Sequence, residues 1–462
     1  MARAITFDRF EVGLDLRKGP SVSDANRLRE LRNAYVTTGK VVRKRPGLTR
    51  IATLEPGTKG LVAGLGKLNT FYESGSVTHA NTLFQAHQVA HPTDSQPVAR
   101  IHKGDVFEGY LYVSVEYADG SIWHHYLDGT LPSHITDANC PQSAAWIKMS
   151  SKIWAPDGDV VRFSATSLPR DWSTANDAGF LPTGLQQTGA LEALALGQQD
   201  RDLVVYFQDS AQIWVPDPDP ALHVFKKPIN GVGTRYPRSV NNVSGDSYFL
   251  SDFGFRSISM RGATDNLTDV DVGSPIDVRV KPLLTTGIDP VSTYYAGGGQ
   301  YWCAIGSSIF AYTFSRTMKI SAWSEYTLGV TVDDFATLGG KLYIRSGDDV
   351  YQVDDAVFTD DGSTYEMVME MPYLDFKLPG VMKQIVGVDA VIQGDADLQL
   401  RWDPRDPNLI TDKIPLSGDT RPGSMTPVEV MATSVAPVIT STSSQAVQID
   451  SLTFYYETLG VT

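Results

Sequence analysis

Short runs of strand-forming residues, rich in Tyr, Thr and Val and separated by tight turns, recur along most of the chain. Two such runs and the turn between them form a candidate β-hairpin. Six hairpins begin at residues 109, 146, 201, 245, 299 and 340, and a seventh candidate covers residues 60–72. Such spacing suits the middle strands of propeller blades, so the pattern predicts an all-β fold with a β-propeller of about six to seven blades over residues 59–358. Two ordinary β-sandwiches in series are the alternative.

Residues 359–462 follow a different pattern. Apolar and polar residues alternate over longer runs, at 365–371, 386–392, 398–402 and 447–455. Alternation with a period of two residues is typical of strands that have one buried and one exposed face. The pattern therefore predicts a small C-terminal antiparallel β-sandwich after the propeller.

The N-terminal part of the chain, residues 1–58, precedes the blade pattern. Within it, residues 24–33 have the spacing of a short helix, with Ser23 or Asp24 as N-cap and with Leu28 and Leu31 on one side. No other segment shows helical signals of comparable clarity. We interpret residues 1–58 as a separate docking segment that lies outside every blade.

Charge distinguishes this N-terminal segment from the rest of the protein. Residues 1–60 contain thirteen Lys or Arg against six Asp or Glu, whereas the whole chain has a net charge of −14. A chain this acidic is not expected to coat nucleic acid, because affinity for phosphate comes from Lys and Arg. The basic residues could simply be solvated, or they could dock against an acidic partner. The candidate docking residues are Arg27, Arg29, Arg32, Lys40, Arg43, Lys44 and Arg45.

Composition narrows the class of protein further. Apolar residues make up 42% and charged residues 20% of the chain, which is typical of a folded globular protein. No run of apolar residues is long enough for a membrane helix, and the first ten residues lack the apolar core of a secretory signal. With only Cys140 and Cys303, a disulfide scaffold is excluded. We expect a protein that is made in the cytoplasm and stabilised by packing.

Catalytic and metal-binding patterns are scarce. His87 and His91 have the spacing of two ligands on a helix, but Gln88 replaces the expected Glu, and Pro92 argues against a helix. His124 and His125 are neighbours in a predicted strand, so they face opposite sides and cannot simply share a metal. Paired aspartates are more typical of exposed turns than of calcium loops. We therefore predict no enzymatic activity, no cofactor and no required metal.

Residues 10–50 contain short sequence motifs that suggest a family. Gly13-Leu14 is followed by Asn33-Ala34, and then by Gly39, Val42 and the run Arg45-Pro46-Gly47. This arrangement resembles the opening of tail nozzle proteins of short-tailed bacteriophages, which are also called tail hub or packaged-DNA stabilisation proteins. In this chain two residues separate Gly39 from Val42, and an extra basic residue precedes Arg45.

The resemblance implies a virion structural protein of the phage tail. Such a protein forms a homohexameric ring below the portal and adaptor, closes the channel, retains packaged DNA and lets the DNA pass during genome ejection. Its implied partners are the portal-adaptor protein above, tail needle, spike or fibre proteins below, and double-stranded DNA that slides past without sequence-specific binding. After synthesis in the host cytoplasm it would reside in the virion.

A carbohydrate-binding or carbohydrate-hydrolysing β-propeller is the alternative function. Eight Trp and twenty Tyr could supply platforms on which sugar rings stack. Repeated polar sites with the same spacing in each blade, which this function would favour, are absent from the sequence. A screen for glycan hydrolysis distinguishes the enzymatic form of this alternative from a nozzle.

Overall fold

The structure is a computed structural model that describes residues 3–187, 189–243, 245–261, 266–285, 287–418 and 425–459. The chain divides into two compact units. The first unit comprises Met1–Thr49, Tyr295–Val330 and Gln352–Thr462, and the second comprises Arg50–Tyr294 and Thr331–Tyr351. Both units consist mainly of β-strands, which confirms the all-β prediction.

Seven strands precede the first blade hairpin: β1 (Arg3–Phe7), β2 (Gly13–Leu14), β3 (Arg27–Leu28), β4 (Glu30–Arg32), β5 (Ala34–Val36), β6 (Val42–Lys44) and β7 (Gly47–Thr53). The next two sheets have three strands each: β8 (Lys59–Gly64), β9 (Lys67–Tyr72) and β10 (Phe84–Gln88), then β11 (Val98–Phe107), β12 (Tyr110–Tyr117) and β13 (Ile122–Tyr126).

Three four-stranded sheets follow in chain order. They contain β14 (Ile147–Met149), β15 (Lys152–Asp157), β16 (Val160–Phe163) and β17 (Gly179–Leu181); β18 (Ala195–Gln199), β19 (Asp202–Tyr206), β20 (Ser210–Val215) and β21 (Val224–Asn230); and β22 (Asn241–Val243), β23 (Asp246–Ser251), β24 (Gly254–Arg261) and β25 (Asn266–Asp271). Short 3-10 helices lie at Thr174–Asn176, Thr183–Gln186, Pro220–Leu222 and Pro237–Ser239.

The remaining elements begin with the helix α1 (Asp277–Leu284). Seven strands follow it: β26 (Val291–Tyr295), β27 (Gln300–Ile305), β28 (Ser308–Ser315), β29 (Ile320–Thr327), β30 (Asp334–Leu338), β31 (Lys341–Ser346) and β32 (Asp349–Asp354). The C-terminal strands are β33 (Met367–Glu370), β34 (Lys383–Gln393), β35 (Asp395–Arg401), β36 (Ile414–Ser417), β37 (Thr426–Ala432), β38 (Ala436–Ser441) and β39 (Gln448–Thr458).

The predicted hairpins are present as pairs of neighbouring strands. They are β8–β9, β12–β13, β15–β16, β19–β20, β23–β24, β27–β28 and β31–β32. Each belongs to a small sheet or part of a sheet in which consecutive strands pair, as propeller blades require. The described residues therefore contain seven blade-type sheets, in one of which β10 pairs parallel with β9, and the predicted β-propeller architecture is confirmed.

The core of the second unit lies between neighbouring sheets. One apolar cluster joins Trp154, Phe163 and Leu181 of one sheet to Leu203 and Trp214 of the next. Further clusters join the sheets on either side in the same way. Because both faces of an interior sheet are covered by its neighbours, nearly every residue of the middle strands is buried, as in β19 and β23.

The last blade-type sheet takes its fourth strand from the N-terminal part of the chain. Its order is β30–β31–β32–β7. Thr53 Oγ1 donates a hydrogen bond to Asp349 Oδ1 at 2.5 Å, and Leu54 N donates to Asp348 O at 2.7 Å. Joining distant parts of the chain in one sheet holds a propeller closed without a covalent link.

The C-terminal strands of the first unit form two antiparallel groups, as a sandwich requires. One has the order β37–β34–β39, and the other has the order β33–β38–β35–β36. Alternate residues such as Leu398 and Leu400 are fully buried, in keeping with the predicted alternation. N-terminal strands extend both groups: β1 and β6 pair with β39, and β4 lies between β29 and β33.

This pairing corrects two expectations about residues 1–58. The predicted helix over 24–33 is wrong, because β3 and β4 occupy that segment and tertiary pairing overrides its helical spacing. Leu28 and Leu31 are fully buried as expected, but from strands. The segment is also not a separate docking domain, since hydrogen bonds with strands more than 300 residues away build it into the first unit. The unit boundaries accordingly differ from the predicted 1–58, 59–358 and 359–462 divisions.

Candidate functional site

A buried polar cluster lies where the N-terminal strands of the first unit meet its C-terminal part. At its centre is Arg45, whose side chain is 0% exposed. Its Nη1 donates to Asp360 Oδ1 at 2.9 Å, and its Nη2 lies 2.5 Å from Asp360 Oδ2. Its Nε donates to Asn33 Oδ1 at 3.0 Å. The guanidinium is therefore paired with a carboxylate and hydrogen-bonded along its planar fork.

Asn33 connects this arginine to two distant chain segments. Its Oδ1 also accepts from Thr327 N at 3.0 Å, and its Nδ2 donates to Glu366 O at 2.8 Å. The backbone φ of Asn33 is 53°, in the left-handed region that Asn tolerates better than most residues. Both the side chain and the backbone preference of Asn are thus used at this position.

An aromatic ring and a second cation complete the cluster. The guanidinium of Arg45 lies 3.7 Å from the ring centre of Tyr365. Lys44 Nζ donates to the carbonyl oxygens of Tyr365, at 3.3 Å, and Ser443. Burial, and then the positive charge of Arg45, lowers the pKa of Lys44 to about 8. We name Asn33, Lys44, Arg45, Asp360 and Tyr365 the Arg45 cluster.

The cluster changes the interpretation of the basic docking residues. Lys44 and Arg45 are fully buried, so they are unavailable to a partner surface in this fold, and the prediction that these two residues take part in docking is wrong. Local sequence could not show this, because the acceptors that they use lie about 300 residues away. The other five candidates are partly exposed: Arg27, Arg29, Arg32, Lys40 and Arg43.

Several of these five residues have intramolecular partners. Arg27 pairs with Asp24 at 3.0 Å and with the buried Asp15, and Arg32 pairs with Glu366 at 2.9 Å. Arg29 Nη1 donates to Lys18 O at 2.6 Å. The Arg32–Glu366 pair is exposed and contributes little to stability, so rearranging it on binding a partner would cost little, whereas Arg27 is held by the buried Asp15. These five remain as the candidate docking surface.

Gly47, the last residue of the Arg-Pro-Gly motif, packs against backbone atoms that leave no space for a side chain. A Cβ at this position would lie 2.2 Å from Thr359 O and 2.8 Å from Thr359 N. We expect Gly47→Ala to lower the free energy of unfolding by about 1–3 kcal/mol, measured by urea denaturation. Gly39→Ala is the matched control, because its nearest neighbour would be Thr37 Oγ1 at 3.5 Å. Equal stability of the two variants would contradict this packing.

The second unit contains a partly open cavity of about 310 Å³. The first strands of its sheets line it, through residues 61–63 of β8, 101–104 of β11 and 334–337 of β30 among others. Arg238 and Asp334 form an ion pair across 2.7 Å in its wall. Burial raises the pKa of Asp334, although Arg238 opposes the shift.

The histidines are used in packing. His87 lies on β10 and contacts Asn69 Oδ1 at 2.8 Å, whereas His91 follows the strand and contacts Ser121 Oγ at 3.0 Å. His124 and His125 lie on β13, where they hydrogen-bond Tyr112 and Tyr117 respectively. Across the described ranges, no three His, Cys, Asp or Glu side chains are grouped so that they could hold a metal ion.

The tryptophans are poorly placed for stacking on sugars. Six of the eight are buried: Trp146, Trp154, Trp172, Trp214, Trp302 and Trp323. A buried ring cannot offer its face to a carbohydrate without rearrangement of the core.

In the part of the chain that the structure describes, every helix is too short or too polar to span a membrane.

Comparison with known proteins does not identify a family. No family model and no curated protein matches the chain. Among solved structures, the Neurospora crassa Pan2 WD40 domain matches over 70% of this chain and 86% of its own, with 10% identity and a TM-score of 0.36. The Malassezia sympodialis allergen Mala s 1 matches over 55% and 93%, with 11% identity and a TM-score of 0.34. At such low TM-scores, the fold assignment rests on the chain's own sheet topology.

Proposed function

We propose that this chain is a virion structural protein of a phage tail, in which it forms the nozzle ring. The ring would close the channel below the portal and adaptor, retain the packaged DNA and let it pass on ejection. The observation that supports this proposal most is the Asn33–Arg45 hydrogen bond. It joins two of the three motifs on which the resemblance to nozzle proteins rests, so that Asn33-Ala34 and Arg45-Pro46-Gly47 act as one structural element.

The charge of the chain suits a channel through which DNA slides. Each copy has a net charge of −14, so six copies would carry −84. A strongly acidic ring repels phosphate and would not retain DNA by adhesion. We propose that the DNA path follows the axis of the hexamer. The cavity of about 310 Å³ in the second unit has no room for a duplex, whose major groove alone is about 12 Å wide.

Loss of the chain should release packaged DNA. Particles assembled without this protein should fill and then leak, because nothing closes the channel below the adaptor. The measurement is the fraction of the particle DNA that an added nuclease digests, compared with particles that carry the protein. Particles that lack the chain and still protect their DNA would contradict a nozzle and favour a receptor-binding role.

In a parallel screen, hydrolysis of a glycan by the purified protein would favour the carbohydrate-active alternative.

A further inference from the structure

One charge in the cavity of the second unit is not compensated by its surroundings. The charged residues in the lining are Lys103, Arg238 and Asp334. Arg238 and Asp334 neutralise each other as an ion pair. Lys103 has no hydrogen-bond acceptor and no ion-pair partner among the residues that the structure describes. The lining of the cavity therefore carries one net positive charge.

The nearest acidic side chain on the same strand is already engaged. Asp105 lies two residues after Lys103 on β11, and its Oδ2 is 2.7 Å from Lys148 Nζ. Lys103 is open to the water of the cavity but is surrounded by protein walls. This desolvation lowers the pKa of Lys103 to about 8, with Asp105 opposing the shift and Lys148 adding to it. A cation with a lowered pKa is a group that would gain from an added anion.

The surroundings of Lys103 supply further donors. Its Nζ lies 5.5 Å from the ring centre of Trp146, which also lines the cavity. Trp146 Nε1 is buried and has no hydrogen-bond partner within the described residues. A buried indole N–H without an acceptor is uncommon, because the group loses its hydrogen bond to water and gains none in the protein. Both nitrogen atoms would be satisfied by a ligand that carries oxygen acceptors.

We propose that this cavity binds a small oxyanion, a carboxylate or a phosphate, with Lys103 as its counter-ion. The volume is at the lower end of the range for small-molecule sites, which fits a compact ligand. The site belongs to the second unit alone and is independent of the proposed tail function. Failure of either proposal leaves the other standing.

Isothermal titration calorimetry of the full-length protein tests the site. Inorganic phosphate is the first probe and citrate the second, each against sodium chloride at matched ionic strength. We expect saturable binding of at least one probe, weakened at least tenfold in Lys103→Met and retained in Lys103→Arg. Lys67→Met is the matched control, because Lys67 bonds to Thr82 O away from the cavity and should not affect binding.

The pH dependence gives a second readout. Lys103 loses its proton above about pH 8, and the anion binds the protonated form, so affinity should fall up to tenfold per pH unit above that value. Circular dichroism and a melting curve establish that the Lys103 variants are folded. Three results would overturn the proposal. They are absence of saturable binding of both probes, binding to folded Lys103→Met as tight as to the wild-type protein, or a response to sodium chloride equal to the response to the two probes.

Discussion

Replacement of Arg45 by methionine should lower the free energy of unfolding of the first unit by about 3–5 kcal/mol. Methionine preserves much of the apolar stem but removes the guanidinium. Asp360 would then keep a carboxylate without its main partner, and Asn33 Oδ1 would lose one of its two donors. Removing one member of a buried pair is far more costly than removing an exposed one, because the remaining charge is left desolvated.

Urea denaturation at pH 7, followed by circular dichroism, measures this loss. Arg32→Gln is the matched control: it breaks the Arg32–Glu366 pair, whose side chains are 40% and 45% exposed, and should change stability by no more than about 1 kcal/mol. Similar small losses in both variants would mean that Arg45 is not held as described. That outcome would return Lys44 and Arg45 to the set of candidate docking residues.

Acidification should destabilise the second unit, through His124 and His125. Both are buried on β13, and desolvation lowers the pKa of His124 to about 4 and that of His125 well below its usual value. In the unfolded chain each titrates near pH 6.5, so unfolding takes up two protons below that pH. The stability that these two histidines contribute is thus complete above about pH 7. It falls by up to about 2.7 kcal/mol per pH unit until the pH approaches 4, where folded His124 itself becomes protonated. His102 of the same unit, whose pKa is also lowered to about 4, adds to the loss.

Between pH 6.5 and 5 the predicted loss from these two histidines is about 3 kcal/mol, a window in which few carboxylates titrate. Urea unfolding at several pH values, with Trp fluorescence as the readout, measures it. The double variant His124→Asn/His125→Asn should be less stable at pH 7 but should show a flatter pH profile, whereas Arg32→Gln should keep the wild-type slope. An unchanged slope in the double variant would show that other groups cause the acid sensitivity.

Local pattern was sufficient to predict the blades. In segments such as 201–215, strand-forming residues, a turn and a second strand are contiguous, and the neighbours that pair are only a few residues apart. The fold of residues 24–33 could not be predicted in this way. Its spacing of Leu28 and Leu31 fits a helix, and only the pairing of β4 with β33 and β29 makes it a strand. The short helix α1 was missed because Pro282 interrupts its pattern.

The candidate site likewise has features that the local sequence predicts and features that depend on distant residues. The Asn-Ala and Arg-Pro-Gly motifs each contain a residue of the Arg45 cluster, but a run of three cations at residues 43–45 suggests a surface. Burial of Arg45 depends on Asp360 and Tyr365, which are distant in sequence. The uncompensated Lys103 likewise depends on where several sheets place their first strands. The sequence shows which residues are charged, and only the fold shows whether their partners lie in the same chain.

The proposed tail function is tested most directly by electron cryo-microscopy of the phage particles that carry this chain. We expect six copies in a ring at the portal-distal end of the adaptor, with the acidic chains surrounding an axis along which DNA passes. The density should fit a propeller and a C-terminal β-domain in each copy. Five or eight copies, or absence of the chain from this position in the particle, would contradict the account.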